Sequence, residues 1–305
     1  MTILRAYNLP TTNRGLYVAY TVDGAFAEFY DEINLSGDFR ALASARRDHI
    51  FNLLGNRFHL IDAFAGGSIP KYTALHGRAD MDIFVVLHYG KHCAGRLPSQ
   101  VLLDIRTALS GKERVRRNGQ AVTLRYTAFP DVDVVPVYFT SHDGQRYEDA
   151  QYLNVPDMNT ETWIRSMPKL HTARVEQAAA AYGKYFRRAI KMMKYWNWKH
   201  GDILRSFHIE ALAVLFLGIG DCSSLPLALH RFFDAVHGSV LTAVHYDGAR
   251  IDDYLTAQDR IGLSDRLRSA CTHANSAWLN GFLGNHEFAI AEWRAIFGDP
   301  YPSYG

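Results

Sequence analysis

The stretch from Gly66 to Leu87 reads GGSIPKYTALHGRADMDIFVVL and joins a glycine-rich turn to an acidic strand start. Side chains alternate along a strand, so Asp80 and Asp82 share one face while Met81 points to the other. Two adjacent carboxylates repel each other, and Mg²⁺ removes that cost because it prefers carboxylate oxygens. The pair therefore indicates a magnesium site, although a solvated strand start has the same pattern.

The turn before this strand has the chemistry of an anion site. Gly67 allows backbone N–H groups to converge on an anion, and the Ser68 hydroxyl adds a further donor. Phosphates need such donors, particularly at a turn that leads into a helix. Gly-Gly-Ser is also ordinary loop chemistry. Because Asp-x-Asp begins 12 positions after Ser68 (80 − 68), the combination is specific where each half alone is not.

A third carboxylate is expected from the run FPDVDVVP at residues 129–136. Asp131 and Asp133 share one strand face while the valines between and after them pack behind. An acid inside an apolar strand is costly without a partner, and divalent cations bound to a triphosphate would supply one. Spacing alone does not distinguish Asp131 from Asp133.

The order of secondary structure indicates an α+β fold. Strands are expected around Leu60–Phe64, Asp80–Leu87, Ala121–Thr127 and Val132–Tyr138. The chain is then expected to be irregular to Pro168, and helices follow near 171–199, 205–218, 224–236, 258–281 and 285–297. A sheet followed by helices predicts a sheet-containing half joined to a helical half, with a ligand cleft between them.

Composition limits the class of protein. The 305-residue chain is 48% hydrophobic and 21% charged, and its 33 basic and 31 acidic residues leave a formal net charge of +2. That balance disfavours long nucleic acid or a membrane as a partner and favours a small anionic substrate. Three scattered cysteines and no signal-like N-terminal segment suggest a cytoplasmic protein.

A loose set of metal-ligating side chains offers an alternative metal site. His88, His92 and Cys93 resemble zinc ligands, but a fourth ligand at suitable spacing is missing. They are therefore interpreted as turn residues after the acidic strand.

The motifs resemble those of a known superfamily. Gly67-Ser68, Asp80-x-Asp82 and Asp133-Val-Val-Pro136 are similar to the signature of the polymerase-β-type nucleotidyltransferases. The resemblance is closest to the cGAS/DncV-like bacterial enzymes (CD-NTases), which are related to the oligoadenylate synthetases. Further matching landmarks are Trp163, Lys191–Asn197, Ser206–Glu210 and Trp293–Gly298. The family pattern selects Asp133 over Asp131.

The resemblance implies a mixed-sheet catalytic core with an N-terminal spine helix in residues 1–160 and a helical domain in residues 161–305 that closes the nucleotide cleft. It implies that two Mg²⁺ ions, replaceable by Mn²⁺, bind the catalytic residues Asp80, Asp82 and Asp133. The nucleotide-binding residues that it implies are Gly67, Ser68, Lys194, Ser206 and Phe207, with Lys194 reaching the triphosphate and Phe207 stacking on the base.

The implied activity is synthesis of a cyclic di- or trinucleotide second messenger from NTPs, purines included, in bacterial anti-phage signalling. The product would act on a downstream effector. Linear 2′-5′ oligonucleotide or tRNA nucleotidyl transfer is the alternative within the superfamily, and a non-catalytic nucleotide-binding scaffold is the alternative of another class. Ubiquitin-like conjugation at Gly305 is a separate possibility that the resemblance suggests.

Overall fold

The computed structural model describes residues 18–37, 39–109, 115–117, 119–127, 129–140, 146–150 and 152–305. Its α-helices are α1 Val22–Ile33, α2 Arg40–Gly55, α3 Tyr89–His92, α4 Pro98–Ala108, α5 Pro168–Tyr182, α6 Tyr185–Lys199, α7 Ser206–Phe216, α8 Leu225–Ser239, α9 Ala257–Phe282 and α10 His286–Phe297. Its strands are β1 Val18–Ala19, β2 Leu60–Gly66, β3 Met81–Leu87, β4 Val115–Arg117, β5 Val122–Leu124, β6 Val132–Tyr138, β7 Leu153–Asp157, β8 Thr162–Ser166, β9 His245–Tyr246, β10 Ala249–Arg250 and β11 Ser303–Tyr304.

The main sheet is mixed. Its order is β2-β3-β6-β5-β4, and β7 continues from β6 to β8. The central pair, β3 and β6, is parallel, whereas the other neighbours in this sheet are antiparallel. The predicted α+β class, with a mixed sheet and a helical C-terminal region, is confirmed.

The core of this sheet follows from strand alternation. Met81, Ile83 and Val85 on β3 are fully buried in one cluster with Ile50 and Leu54 of α2. Each fully buried aliphatic side chain stabilises the fold by about 1.5–3 kcal/mol relative to exposure. The intervening β3 residues therefore face the other side of the sheet, where the candidate site lies.

Two segments differ from the sequence expectation. The segment expected to be irregular contains β7 and β8, which pair as an antiparallel hairpin. Pro156 does not disrupt it, because it lies within a short strand at the side of the sheet rather than in the central pair. The helix predicted over 171–199 is two helices, since Gly183, at φ 89°, ends α5 before α6 begins.

The chain forms two units. The sheet unit comprises Asn34–Lys194 and Arg205–Leu215; the helical unit comprises the described residues up to Ile33 together with Tyr195–Leu204 and Phe216–Gly305. This division differs from the predicted boundary at residue 160. Most of α6 and α7 belong to the sheet unit, and the buried ion pairs described below explain why. The assignment of a catalytic and a closing domain remains a prediction.

An aromatic cluster organises the helical unit. The Phe26 ring lies 5.0 Å from Trp293 and 5.2 Å from Tyr301, centroid to centroid, and all three side chains are buried. The residues after α10 include β11, which pairs in parallel with β1. No helix among the described residues combines the length and the apolar character needed to cross a membrane.

Candidate active site

The candidate site is a row of side chains across the central strands. The register places Asp82 of β3 opposite Asp133 of β6, with Gly66 of β2 and Thr123 of β5 as the outer neighbours. Side chains at one register position of neighbouring strands leave the same face of a sheet, so Asp82 and Asp133 are side by side. Asp80 lies one residue before β3 and is exposed.

The carboxylate at Asp82 has an unusual electrostatic environment. Burial, followed by the negative charges of Asp133 and Asp80, raises the pKa of Asp82 to about 7. Lys71 has the opposite influence and lowers this pKa. Carboxylates so close together that one has a raised pKa are typical of a cation site, because a cation offsets their mutual repulsion.

The donor set fits magnesium. Asp80, Asp82 and Asp133 offer only hard carboxylate oxygens, which Mg²⁺ prefers, with no sulfur or imidazole in the row. The Thr123 hydroxyl donates a hydrogen bond to Oδ1 of Asp133 at 2.5 Å and so orients that carboxylate. Ligating carboxylates are usually held in this way by an outer hydrogen bond.

The geometry distinguishes Asp131 from Asp133. One Asp131 carboxylate oxygen accepts the Tyr126 backbone N–H at 3.2 Å, and the other lies 3.7 Å from the Arg125 guanidinium. The Asp131 side chain therefore stabilises the loop that precedes β6. Asp133, in contrast, faces Asp82 in the row.

The Gly67 turn closes against the acidic row. Gly67 has φ 72°, and a Cβ added there would overlap Oδ2 of Asp82. Only glycine permits this approach, so the turn backbone lies directly against the carboxylate. The Ser68 carbonyl accepts the Thr73 N–H at 3.0 Å, which folds the segment back on itself. The residues after Ser68 form successive turns, and no helix begins there.

Lys194 is held inside the protein. Its ammonium donates to Oε1 of Glu210 at 2.6 Å, to Oγ1 of Thr73 at 3.1 Å and to the Thr73 carbonyl at 3.2 Å. Since an ammonium has three N–H donors, these bonds use all of them. Burial lowers the pKa of Lys194, and Glu210 opposes that shift. For Lys194 to bind a triphosphate, as predicted, its ammonium would have to exchange Glu210 or Thr73 for a phosphate oxygen. Otherwise Lys194 would act on the triphosphate only through the electric field of its charge.

Ser206 and Phe207 begin α7. Ser206 is exposed at the first helical position, whereas Phe207 is half-buried with its ring centroid 4.4 Å from that of His171. Both predicted residues therefore lie in the sheet unit with the acidic row. Their contact with a nucleotide remains a prediction.

Lys71, Thr73 and Glu210 are site residues that the sequence reasoning missed. Lys71 forms a buried ion pair with Oε2 of Glu210, and the Thr73 hydroxyl donates to Oε1 at 2.5 Å. A signal for Glu210 was present, because it is an acid within the apolar helix run HIEALAVLF at 208–216. A buried carboxylate requires a cation, which the sequence does not locate.

The zinc alternative is not supported. His92 accepts the His59 backbone N–H on Nε2 at 2.8 Å, and burial raises the pKa of the Cys93 thiol to about 12. Within the described part of the chain, the group of possible ligands that lie within 4.8 Å of one another is Asp234, His237 and Cys271 instead.

Comparison with known proteins identifies the family of this chain. The profile of the SMODS family, the Second Messenger Oligonucleotide or Dinucleotide Synthetase domain, matches residues 20–178, just over half of the 305-residue chain. The chain belongs to this family. The resemblance to the cGAS/DncV-like nucleotidyltransferases and the predicted enzyme class are thereby confirmed.

Individual SMODS relatives extend the match over most of the chain. A probable cyclic nucleotide synthase of Bacillus cereus (strain VD146) is 25% identical over 93% of this chain and 98% of its own. The cyclic AMP-AMP-AMP synthase of Acinetobacter sp. (strain ATCC 27244 / 9458) is 24% identical over 79% of this chain and 73% of its own.

Solved SMODS-like structures share the fold. CdnC of E. coli MS115-1, solved with ATP, has a TM-score of 0.74 at 20% identity and covers 92% of this chain and 99% of its own. The same protein in a CdnC:HORMA-deltaN complex has a TM-score of 0.73 at 19% identity, with 92% and 98% coverage.

Proposed function

We propose that this SMODS protein is a cyclic oligonucleotide synthase that makes a cyclic di- or trinucleotide second messenger from NTPs. The observation that carries the proposal is the pairing of Asp82 with Asp133 against the Gly67 turn. In this arrangement a candidate site for divalent cations lies next to a candidate site for phosphate, as nucleotidyl transfer requires. The names of the relatives support cyclic nucleotides as the product class.

In the proposed mechanism, Asp80, Asp82 and Asp133 would hold two Mg²⁺ ions, or Mn²⁺ in their place. When bound, the ions would supply positive charge that acidifies the acceptor hydroxyl and stabilises the leaving pyrophosphate. The backbone N–H groups around Gly67 and the Ser68 hydroxyl would bind phosphate oxygens.

On the base and triphosphate side, Ser206 would donate a hydrogen bond to the triphosphate and Phe207 would stack on the base. Lys194 would contribute its charge. These residues would position the substrates and neutralise the phosphate charge, because phosphoryl transfer requires little covalent chemistry from side chains.

The partners that we propose follow from the same relatives. NTPs, purines among them, would be the substrates, since CdnC was solved with ATP. A downstream effector would receive the product in anti-phage signalling. A regulatory protein would be a further partner, since CdnC was solved in a complex with HORMA-deltaN. Conjugation through Gly305 stays a separate hypothesis; intact-mass analysis of the protein from its native cells tests it.

The test compares wild type with Asp133→Asn and with the matched variant Asp131→Asn. Each is incubated with all four NTPs and Mg²⁺, then treated with phosphatase and analysed by mass spectrometry. We expect phosphatase-resistant product from wild type and Asp131→Asn, a fall of more than about 100-fold in Asp133→Asn, and no product with EDTA. Linear oligomers alone would refute cyclisation, and an active Asp133→Asn would refute the site.

A further inference from the structure

A single buried carboxylate joins three segments around the candidate site. Glu210 on α7 accepts hydrogen bonds from Lys71, Thr73 and Lys194, and all four side chains are buried. Lys71 and Thr73 belong to the loop after the Gly67 turn, and Lys194 belongs to α6. The carboxylate therefore ties this loop to two helices that come more than a hundred residues later in the chain.

These contacts connect both predicted phosphate-binding elements. On one side, the Thr73 N–H donates to the Ser68 carbonyl at 3.0 Å, so the position of Thr73 determines that of the turn. On the other side, Glu210 lies one helical turn after Ser206, on the same face of α7. Glu210 thus lies on the chain of contacts that connects Ser68 to Ser206.

The charges of this network do not cancel. Two lysines and one glutamate leave an excess positive charge in a buried position, and a buried charge requires compensation. Lys194 has used its three donors, whereas Lys71 has one hydrogen-bond partner among the described residues, Glu210. The Lys71 charge also acts on Asp82 in the acidic row. Asp82 acts on Lys194 as well, so the acidic row opposes part of the excess positive charge. Among the described residues, the N–H donors that Lys71 does not use for Glu210 are what the network offers to an anion.

We infer that Glu210 is a positioning residue for the triphosphate subsite: it holds the Lys71 and Lys194 ammonium groups in place and fixes the Ser68 turn relative to Ser206. This inference rests on the proposed function, because it assigns the excess charge to an NTP. Glu210 itself touches no substrate; it acts through the two lysines and through Thr73.

The test uses Glu210→Gln, which keeps the shape and removes the charge. Without the carboxylate, burial lowers the pKa of Lys194 unopposed except by Asp82, and Lys71 lowers it further. Lys194 then loses its proton at a lower pH than it does in wild type. We expect the Mg²⁺-NTP affinity of Glu210→Gln, measured by calorimetry with the NTP that wild type binds best, to be at least about tenfold weaker at pH 7. The ratio of the wild-type affinity to the variant affinity should grow from pH 6 to pH 9; taking this ratio sets aside the titration of Asp82, whose pKa of about 7 lies in the same range.

Asp252→Asn is the matched control. Asp252 is a fully buried carboxylate in the helical unit and pairs with Arg260 at 2.5 Å and Arg250 at 2.9 Å. Its loss should reduce stability without changing the pH dependence of NTP binding. Glu210→Asp keeps the charge and should restore a wild-type pH profile, even where affinity is reduced.

The outcomes separate the two proposals. A folded Glu210→Gln protein with wild-type affinity and pH profile overturns the positioning role. If that variant does not fold, Thr73→Val is measured instead, and unchanged NTP affinity in it has the same consequence. If wild type binds NTP but makes no cyclic product, the proposed function fails while the affinities still decide the role of Glu210. If wild type binds no NTP, both fail.

Discussion

The contact between the Gly67 backbone and Asp82 leads to a sharp prediction for Gly67→Ala. The added Cβ would overlap Oδ2 of Asp82, so the carboxylate or the turn must move by about 1 Å or more. A displacement of about 1 Å in a catalytic group costs on the order of 100-fold in rate, which corresponds to about 2.7 kcal/mol of activation free energy. The positive φ of 72° adds a cost in stability of about 1–2 kcal/mol.

Gly77→Ala separates the two effects. Gly77 has a similar φ of 69°, but a Cβ there has no heavy atom within 4 Å. Both variants should lose about 1–2 kcal/mol in urea unfolding because of the positive φ, and Gly67→Ala should lose more because of the overlap with Asp82. Only Gly67→Ala should lose about 100-fold in the initial rate of product formation, measured by radiolabel chromatography with Mg²⁺. If the two variants have rates within about threefold of each other, the contact with Asp82 does not matter for catalysis and the reasoning is wrong.

Three further predictions concern stability and the acidic row. Burial raises the pKa of Glu210, but its two lysine partners together outweigh burial and lower the pKa to about 2, against 4.5 ordinarily. Its contribution, on the order of 3 kcal/mol, is therefore present above pH 4.5 and is lost as the pH falls towards 2. Acid unfolding of Glu210→Gln should lack this dependence, and a curve parallel to wild type would contradict it. Thr123→Val removes the hydrogen bond to Asp133 and should weaken Mg²⁺-dependent activity about tenfold, while the free energy of unfolding changes by about 1 kcal/mol. An unaltered Mg²⁺ titration would count against the orienting role of Thr123. Met81→Ala leaves a cavity at a fully buried position behind the acidic row and should lower the free energy of unfolding in urea by about 2–5 kcal/mol. A loss below about 1 kcal/mol would be inconsistent with the core described above.

Much of the fold could be predicted because strand alternation and helical periodicity are local signals. The β6 bounds match the predicted Val132–Tyr138, and β3 begins one residue after the predicted Asp80. The hairpin of β7 and β8 was missed because pairing with a neighbouring strand, rather than the local sequence, forms it there. A proline in its first strand was the misleading signal.

The candidate site could be predicted in part. Asp82 and Asp133 follow from motifs, yet their register is set by the parallel pairing of β3 and β6, which no single segment contains. For Lys194 the sequence suggested a residue directed at substrate, whereas the structure gives its ammonium three acceptors inside the protein. Glu210, 16 residues later, supplies the shortest of these bonds, and Thr73, 121 residues earlier, supplies the other two. A contact between residues as distant as Thr73 and Lys194 has no local pattern.

The separation between Lys71 and Glu210 has a consequence for how the protein is made. The two residues are 139 positions apart, and a ribosome adds about 5–20 residues per second, so Lys71 waits on the order of 7–28 s for its acceptor. Asp133 is added 77 residues before Glu210 (210 − 133), and from that point the nascent chain contains Gly67, Ser68 and all three acidic residues. It still lacks the carboxylate that holds the loop between Ser68 and Asp80. A chain whose translation stops before Glu210 would therefore carry the acidic motif without the carboxylate that holds Lys71 and Thr73.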